Sequence, residues 1–76
     1  MRTWLKDLRI SAGKTMKEMA VELGISESYY CSVENGDRQK RMDTAFIVGL
    51  ANALEMDPSE ILNREIEYMT VQTEGV

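Results

Sequence analysis

Apolar positions recur at spacings of three and four through most of this chain, the period of helices that bury one face against a shared core. Trp4, Leu5, Leu8 and Ala12 make the first inward stripe, with Thr3 as the expected N-cap and Gly13 as the terminator. Met19, Ala20 and Leu23 make the second. Thr15 followed three residues later by Glu18 is a capping box, so this helix is expected to open at about Met16. Gly24 ends it, because a glycine adopts the left-handed conformation of a helix terminus and lets Ile25 fold back on the helix. Ser26 caps a third helix with Tyr30 and Val33 inward and Asn35-Gly36 at its close. Asp43 caps a fourth, in which Phe46, Ile47, Leu50, Ala51 and Leu54 form the most apolar segment and the expected centre of the core. Asp57, Pro58 and Glu60 start a fifth, expected to end near Asn63 or Arg64. In the tail, EIEYMTVQTEGV, Ile66, Tyr68, Thr70 and Val71 favour an extended strand, with Met69 breaking the alternation.

The fold expected is therefore all-α: a compact five-helix domain over residues 1–64, and a tail over 65–76 that is extended and serves as a possible dimerisation element. Within it, the second and third helices meet through a short turn containing Gly24, and Ala20 is small enough for one helix to cross closely over the other. Two helices joined in this way form a helix-turn-helix, whose second helix can enter a DNA major groove.

The run ISESYYCSVENGDRQKRMD, preceded by LKDLRISAGKT, resembles the DNA-binding domain of phage repressor and Cro-type transcriptional regulators, the lambda-repressor-like fold. The similarity extends from about Trp4 to Leu62 and rests on several pieces in order: the LR before the glycine of the first helix, the Ala and Gly of the turn, and ENG after the third helix. The resemblance implies that exposed early residues of the third helix reach base edges, which here are Glu27, Ser28 and Ser32, with Tyr29 near backbone or base. It implies too that Asn35, Arg38, Lys40 and Arg41 meet the phosphate backbone, and that Arg9 and Glu34 form a salt bridge. Two positions depart from the family pattern. Met16 stands where a DNA-bonding Gln is common, and Tyr30 replaces a branched aliphatic, so its hydroxyl must reach solvent or a partner.

Charge first argues against DNA, since the chain carries a formal −4. Its distribution reverses that argument. Residues 1–41 hold eight of the nine basic side chains against six acids, whereas residues 42–76 hold Arg64 against seven acids. A basic half and an acidic half suit nucleic-acid contact on one side only. Lys14 and Lys17 flank the start of the second helix, whose N–H groups can hold a phosphate. Each of these residues also has a plainer reading. Glu27 complements a helix dipole as well as it accepts from a cytosine amino group, and the lysines and the DRQKR loop also read as solvated surface.

Catalysis finds no support: the chain has no histidine, a single cysteine, and no Gly-rich phosphate loop or acid–base pair of recognisable spacing. Cys31 reads as an inert thiol in a reducing compartment. With no apolar run of membrane-spanning length and no apolar leader, the expectation is cytoplasmic, without cofactor, metal, membrane or small-molecule ligand. The partner expected is double-stranded DNA, bound by a homodimer acting as a repressor of phage or mobile-element type. The alternative is a protein-binding module, an antitoxin or anti-repressor that keeps the fold and engages its partner through the acidic half.

Overall fold

Local capping chemistry sets where most of the helices begin. The computed structural model describes residues 1–74, with side chains as far as Thr70, and contains five helices and no strand among them. They are α1 (Thr3–Ser11), α2 (Met16–Leu23), α3 (Glu27–Asn35), α4 (Thr44–Leu54) and α5 (Pro58–Glu74). At α2 the capping box closes in both directions, the Glu18 N–H donating to Thr15 Oγ1 at 3.1 Å and the Thr15 N–H to Glu18 Oε1 at 3.0 Å. Ser26 Oγ accepts from the Tyr29 N–H at 3.0 Å, and Asp43 Oδ1 from the Phe46 N–H at 2.7 Å. At α5 the Asp57 carboxylate turns to Ser59, accepting from its N–H at 2.9 Å and its hydroxyl at 2.7 Å.

The core is one cluster. Leu5, Met19, Ala20, Tyr30, Val33, Ile47, Leu50, Ala51, Leu54 and Ile61 are buried, drawn from all five helices, and α4 supplies more of them than any other. The α2–turn–α3 unit takes its expected form: Gly24 has φ +70° and the Ile25 N–H donates to the Ala20 carbonyl at 3.0 Å, folding the turn onto α2. Ala20 is buried, and α2 packs against α3. Gly36 ends α3 at φ +88°.

Four expectations need correction. The α1 cap is Arg2 rather than Thr3, and Ala12, past the last turn of α1 as its C-cap, is exposed, while Arg9 takes the inward place one turn after Leu5. Tyr30 Oη does not reach solvent: the side chain is buried, and the hydroxyl lies beside the Glu34 carboxylate without a hydrogen bond of regular geometry. Burial, reinforced by the adjacent Glu34 carboxylate, pushes the Tyr30 phenol far above its ordinary range.

The largest correction concerns the tail. The chain does not turn extended after Arg64; α5 runs on unbroken to Glu74. Ile61, Glu65 and Tyr68 fall at helical spacing on its inner side, with Ile61 and Glu65 buried and Tyr68 half-buried. Packing of that side overrides the strand preference of Ile66 and Thr70, whose hydroxyl simply donates back to the Ile66 carbonyl at 2.8 Å. The side chain of Val71 and residues 75–76 lie outside the described residues.

Candidate nucleic-acid interface

Helical periodicity splits α3 into two sides. Tyr30, Val33 and Glu34 point into the protein and are buried, so Ser28, Ser32 and Asn35 occupy the opposite stripe, with Glu27 and Tyr29 on its flanks. Glu27, Ser28 and Asn35 are exposed, while Tyr29 and Ser32 are half-buried. Asn35 Nδ2 also approaches Cys31 Sγ one turn back, at 3.7 Å. This outward stripe is short, polar and able both to donate and to accept, which is what base edges in a major groove require.

The loop after α3 folds back alongside its first turn. Gln39 adopts a positive φ of 54° and donates from Nε2 to Tyr29 Oη at 3.0 Å, while its Oε1 accepts from the Asp43 N–H at 3.3 Å. Arg38 lies over the Tyr29 ring, 5.8 Å from its centroid. Tyr29 thus serves as the post to which the basic loop is tied, and Gln39 as the tie between α3 and the start of α4. No sequence signal marks Gln39 for this role, because a non-glycine residue at positive φ is not predictable from DRQKR.

The basic residues separate into two groups. Arg9 pairs with Glu34 through Nε at 2.7 Å and Nη2 at 3.4 Å, and bonds the Lys14 carbonyl through Nη1 at 3.0 Å. The salt bridge expected from the resemblance is present, and the hydrogen bond to Glu34 raises the Arg9 pKa. Arg2, which no sequence signal singled out, is fully buried and paired with Glu65. Lys14 donates to both Glu22 oxygens at 2.8 and 2.7 Å and to the Ala53 carbonyl at 2.5 Å, so its ammonium bridges α2 and α4. By contrast, among the described residues Lys17, Arg38, Lys40, Arg41 and, on α5, Arg64 are exposed and form no ion pair, and half-buried Lys6 forms none either. Met16, the departure at the start of α2, packs half-buried against the core.

This arrangement has a counterpart in sequence. The helix-turn-helix domain family matches residues 2–62. The chain belongs to that family. It is also similar to the uncharacterised HTH-type transcriptional regulator YqaF of Bacillus subtilis strain 168, with 44% identity over 39 residues, 51% of each chain. The chain therefore spans about half the length of this curated relative. No solved structure matches it. In this helix-turn-helix domain the motif is α2, the Gly24 turn and α3, and the loop carrying Arg38, Lys40 and Arg41 emerges directly from the second helix of the motif. Among the described residues, no helix is long and apolar enough to cross a membrane, and no group of three or more His, Cys, Asp or Glu comes together to hold a metal ion.

Proposed function

We propose that this helix-turn-helix domain is a DNA-binding transcriptional regulator of the repressor type, placing α3 in the major groove as one half of a two-fold dimer. The observation that carries the reading is the division of the basic side chains. Arg2 and Arg9 are consumed by buried carboxylates and Lys14 by exposed Glu22, while Arg38, Lys40 and Arg41 stand exposed on the loop that leaves α3. Cations placed so meet phosphate without reading sequence, and Ser28, Ser32 and Asn35 supply the base-edge contacts, with Glu27 and Tyr29 at their margin. Lys17 adds a cation next to the N–H groups at the start of α2. Lys14, already engaged by Glu22 and Ala53, is left out of the contact set.

Dimerisation is assigned to α5, where Leu62 and Ile66, one helical turn apart, are 42% and 50% exposed. Two copies joined there present two α3 helices to half-sites roughly 34–36 Å apart. Selection from random duplex DNA tests both parts. It is expected to return an inverted repeat, bound with an affinity that falls about 10³–10⁵-fold between about 50 and 200 mM salt. Replacing Arg38, Lys40 and Arg41 together by alanine abolishes that binding. Recovery of no site, or affinity indifferent to salt, removes the DNA reading and leaves the protein-binding module in its place.

A further inference from the structure

Arg2 is wholly inaccessible, and every one of its five guanidinium N–H groups has an acceptor. Nε and Nη2 grip the two oxygens of Glu65 on α5 at 2.9 and 2.8 Å. Nη1 donates to the carbonyls of Val33 at 2.6 Å and Arg38 at 2.9 Å, and Nη2 donates to the carbonyl of Gln39. The Arg2 main-chain N–H donates in turn to the Glu34 carbonyl at 2.7 Å.

These acceptors have a common address. Val33 and Glu34 offer two of the last carbonyls of α3, the Val33 oxygen accepting from the Gly36 N–H as well, so Arg2 adds a cap to α3 from 31 residues away, and its positive charge suits that helix end. Arg38 and Gln39 are the first half of the basic loop. The Tyr68 ring closes the far side, 5.2 Å from the guanidinium. Through one planar group, then, α5 holds the trailing end of α3 and the backbone of the loop in a single arrangement.

We propose that Arg2 is the positioning residue of the basic loop, and that through Glu65 it makes the placement of Arg38, Lys40 and Arg41 depend on the seating of α5. The proposal rests on the reading above, in which those cations meet phosphate. Arg2 itself touches no DNA. Its fork of donors serves a carboxylate and three carbonyls at once, which the three donors of a lysine cannot do. An event that shifts α5, such as pairing with a second copy, is thereby felt at the loop.

Two variants test this. The double substitution Arg2→Met with Glu65→Leu exchanges the buried ion pair for apolar groups of similar size, a change that folds often tolerate, but it takes the arginine donors away from the Val33, Arg38 and Gln39 carbonyls. Arg2→Lys keeps the charge opposite Glu65 and loses most of the fork. Amide hydrogen exchange is read over residues 37–41 without DNA, beginning with the Arg38 N–H bonded to the Ser32 carbonyl at 3.2 Å. In each folded variant the loop amides are expected to exchange about tenfold faster while α2 and α4 keep their protection. DNA affinity is expected to fall by about tenfold with the preferred sequence unchanged, since phosphate placement suffers and base contacts do not. Loop exchange within about twofold of the parent, in either variant that folds, overturns the proposal whatever happens to affinity. Loss of cooperative folding in Arg2→Lys overturns it too, because Arg2 would then support the whole domain rather than the loop. If the loop loosens as expected but the parent protein binds no DNA, it is the proposed function that fails and the positioning role that stands.

Discussion

At its leading end α3 is held by neutral hydrogen bonds, from the Tyr29 N–H to Ser26 and from Gln39 to the Tyr29 hydroxyl, and leaves Glu27 and Ser28 to solvent. At its trailing end two arginines converge on buried carboxylates, Arg9 on Glu34 and Arg2 on Glu65, and Tyr68 lies against Gly36. The same nine-residue helix is therefore held by buried ion pairs at one end and by neutral hydrogen bonds at the other. The difference has a physical logic. A surface that reads base edges must keep its donors and acceptors unpaired until DNA arrives, so the rigidity that aims it has to be built elsewhere. Here it is built one to three turns away, from ion pairs out of water's reach.

Removing Glu34 has the largest expected effect. Glu34→Ala strands the Arg9 guanidinium without its carboxylate in a largely buried position, and such a loss is expected to cost about 3–5 kcal/mol. For a domain this small each kcal/mol lowers Tm by roughly 4–8 °C, so the variant sits near its unfolding threshold. Urea denaturation measures the loss. A cost below about 1 kcal/mol, the worth of a surface ion pair, would mean that the trailing end is not where the stability is concentrated.

A smaller effect separates the glycines that bracket α3. Gly24 and Gly36 both have positive φ, at +70° and +88°, so alanine strains either position by about 1–3 kcal/mol. Around Gly24 a new Cβ meets open space. Around Gly36 it would lie 2.6 Å from Tyr68 Oη, so Gly36→Ala is expected to cost more than Gly24→Ala. Adding Tyr68→Phe should return part of the difference, as a double-mutant coupling of about 0.5–3 kcal/mol. Equal costs at the two glycines, with no coupling to Tyr68, would mean that α5 does not press on the trailing end.

What was legible in the sequence divides along the same line. Ser26, the Thr15–Glu18 box, Gly24 and the inward stripe of α4 act over four residues or fewer, and each element they announce is where they put it. The outward stripe of Ser28, Ser32 and Asn35 follows from the period of α3 once Tyr30 and Val33 are inward. The trailing end was opaque because its contacts are distant: Arg2 and Glu65 stand 63 residues apart. A carboxylate at an inward position also interrupts the apolar period, which is why α5 looked as if it ended at Arg64. The charge count misled in the same way. It counts Arg2, Arg9 and Lys14 toward a basic face, whereas Arg2 and Arg9 are taken up by buried carboxylates and Lys14 by exposed Glu22. Arg9–Glu34 was foreseen only through the family resemblance.

The mildest contrast is in pH. The carboxylates at the trailing end of α3 are buried in ion pairs, whereas Glu18, at the start of the motif, is a fully exposed carboxylate in a capping box. The Thr15 N–H, and then its hydroxyl, hold Glu18 below its ordinary value of 4.5. A carboxyl whose pKa is lower folded than unfolded stabilises the fold fully above the unfolded value, and that contribution disappears as pH falls through the folded value. Glu18→Gln is therefore expected to lower stability near neutral pH and to make no difference once the solution is acidic enough to protonate Glu18 in the native state. Urea midpoints of parent and variant, taken at steps from about pH 7 to about pH 3, should converge on the acid side. A gap that stays constant across the series would assign the cost to the shape of the side chain and not to its charge. Convergence would place a titrating, easily opened contact at the start of the motif, opposite the end that Arg2 and Arg9 hold fixed.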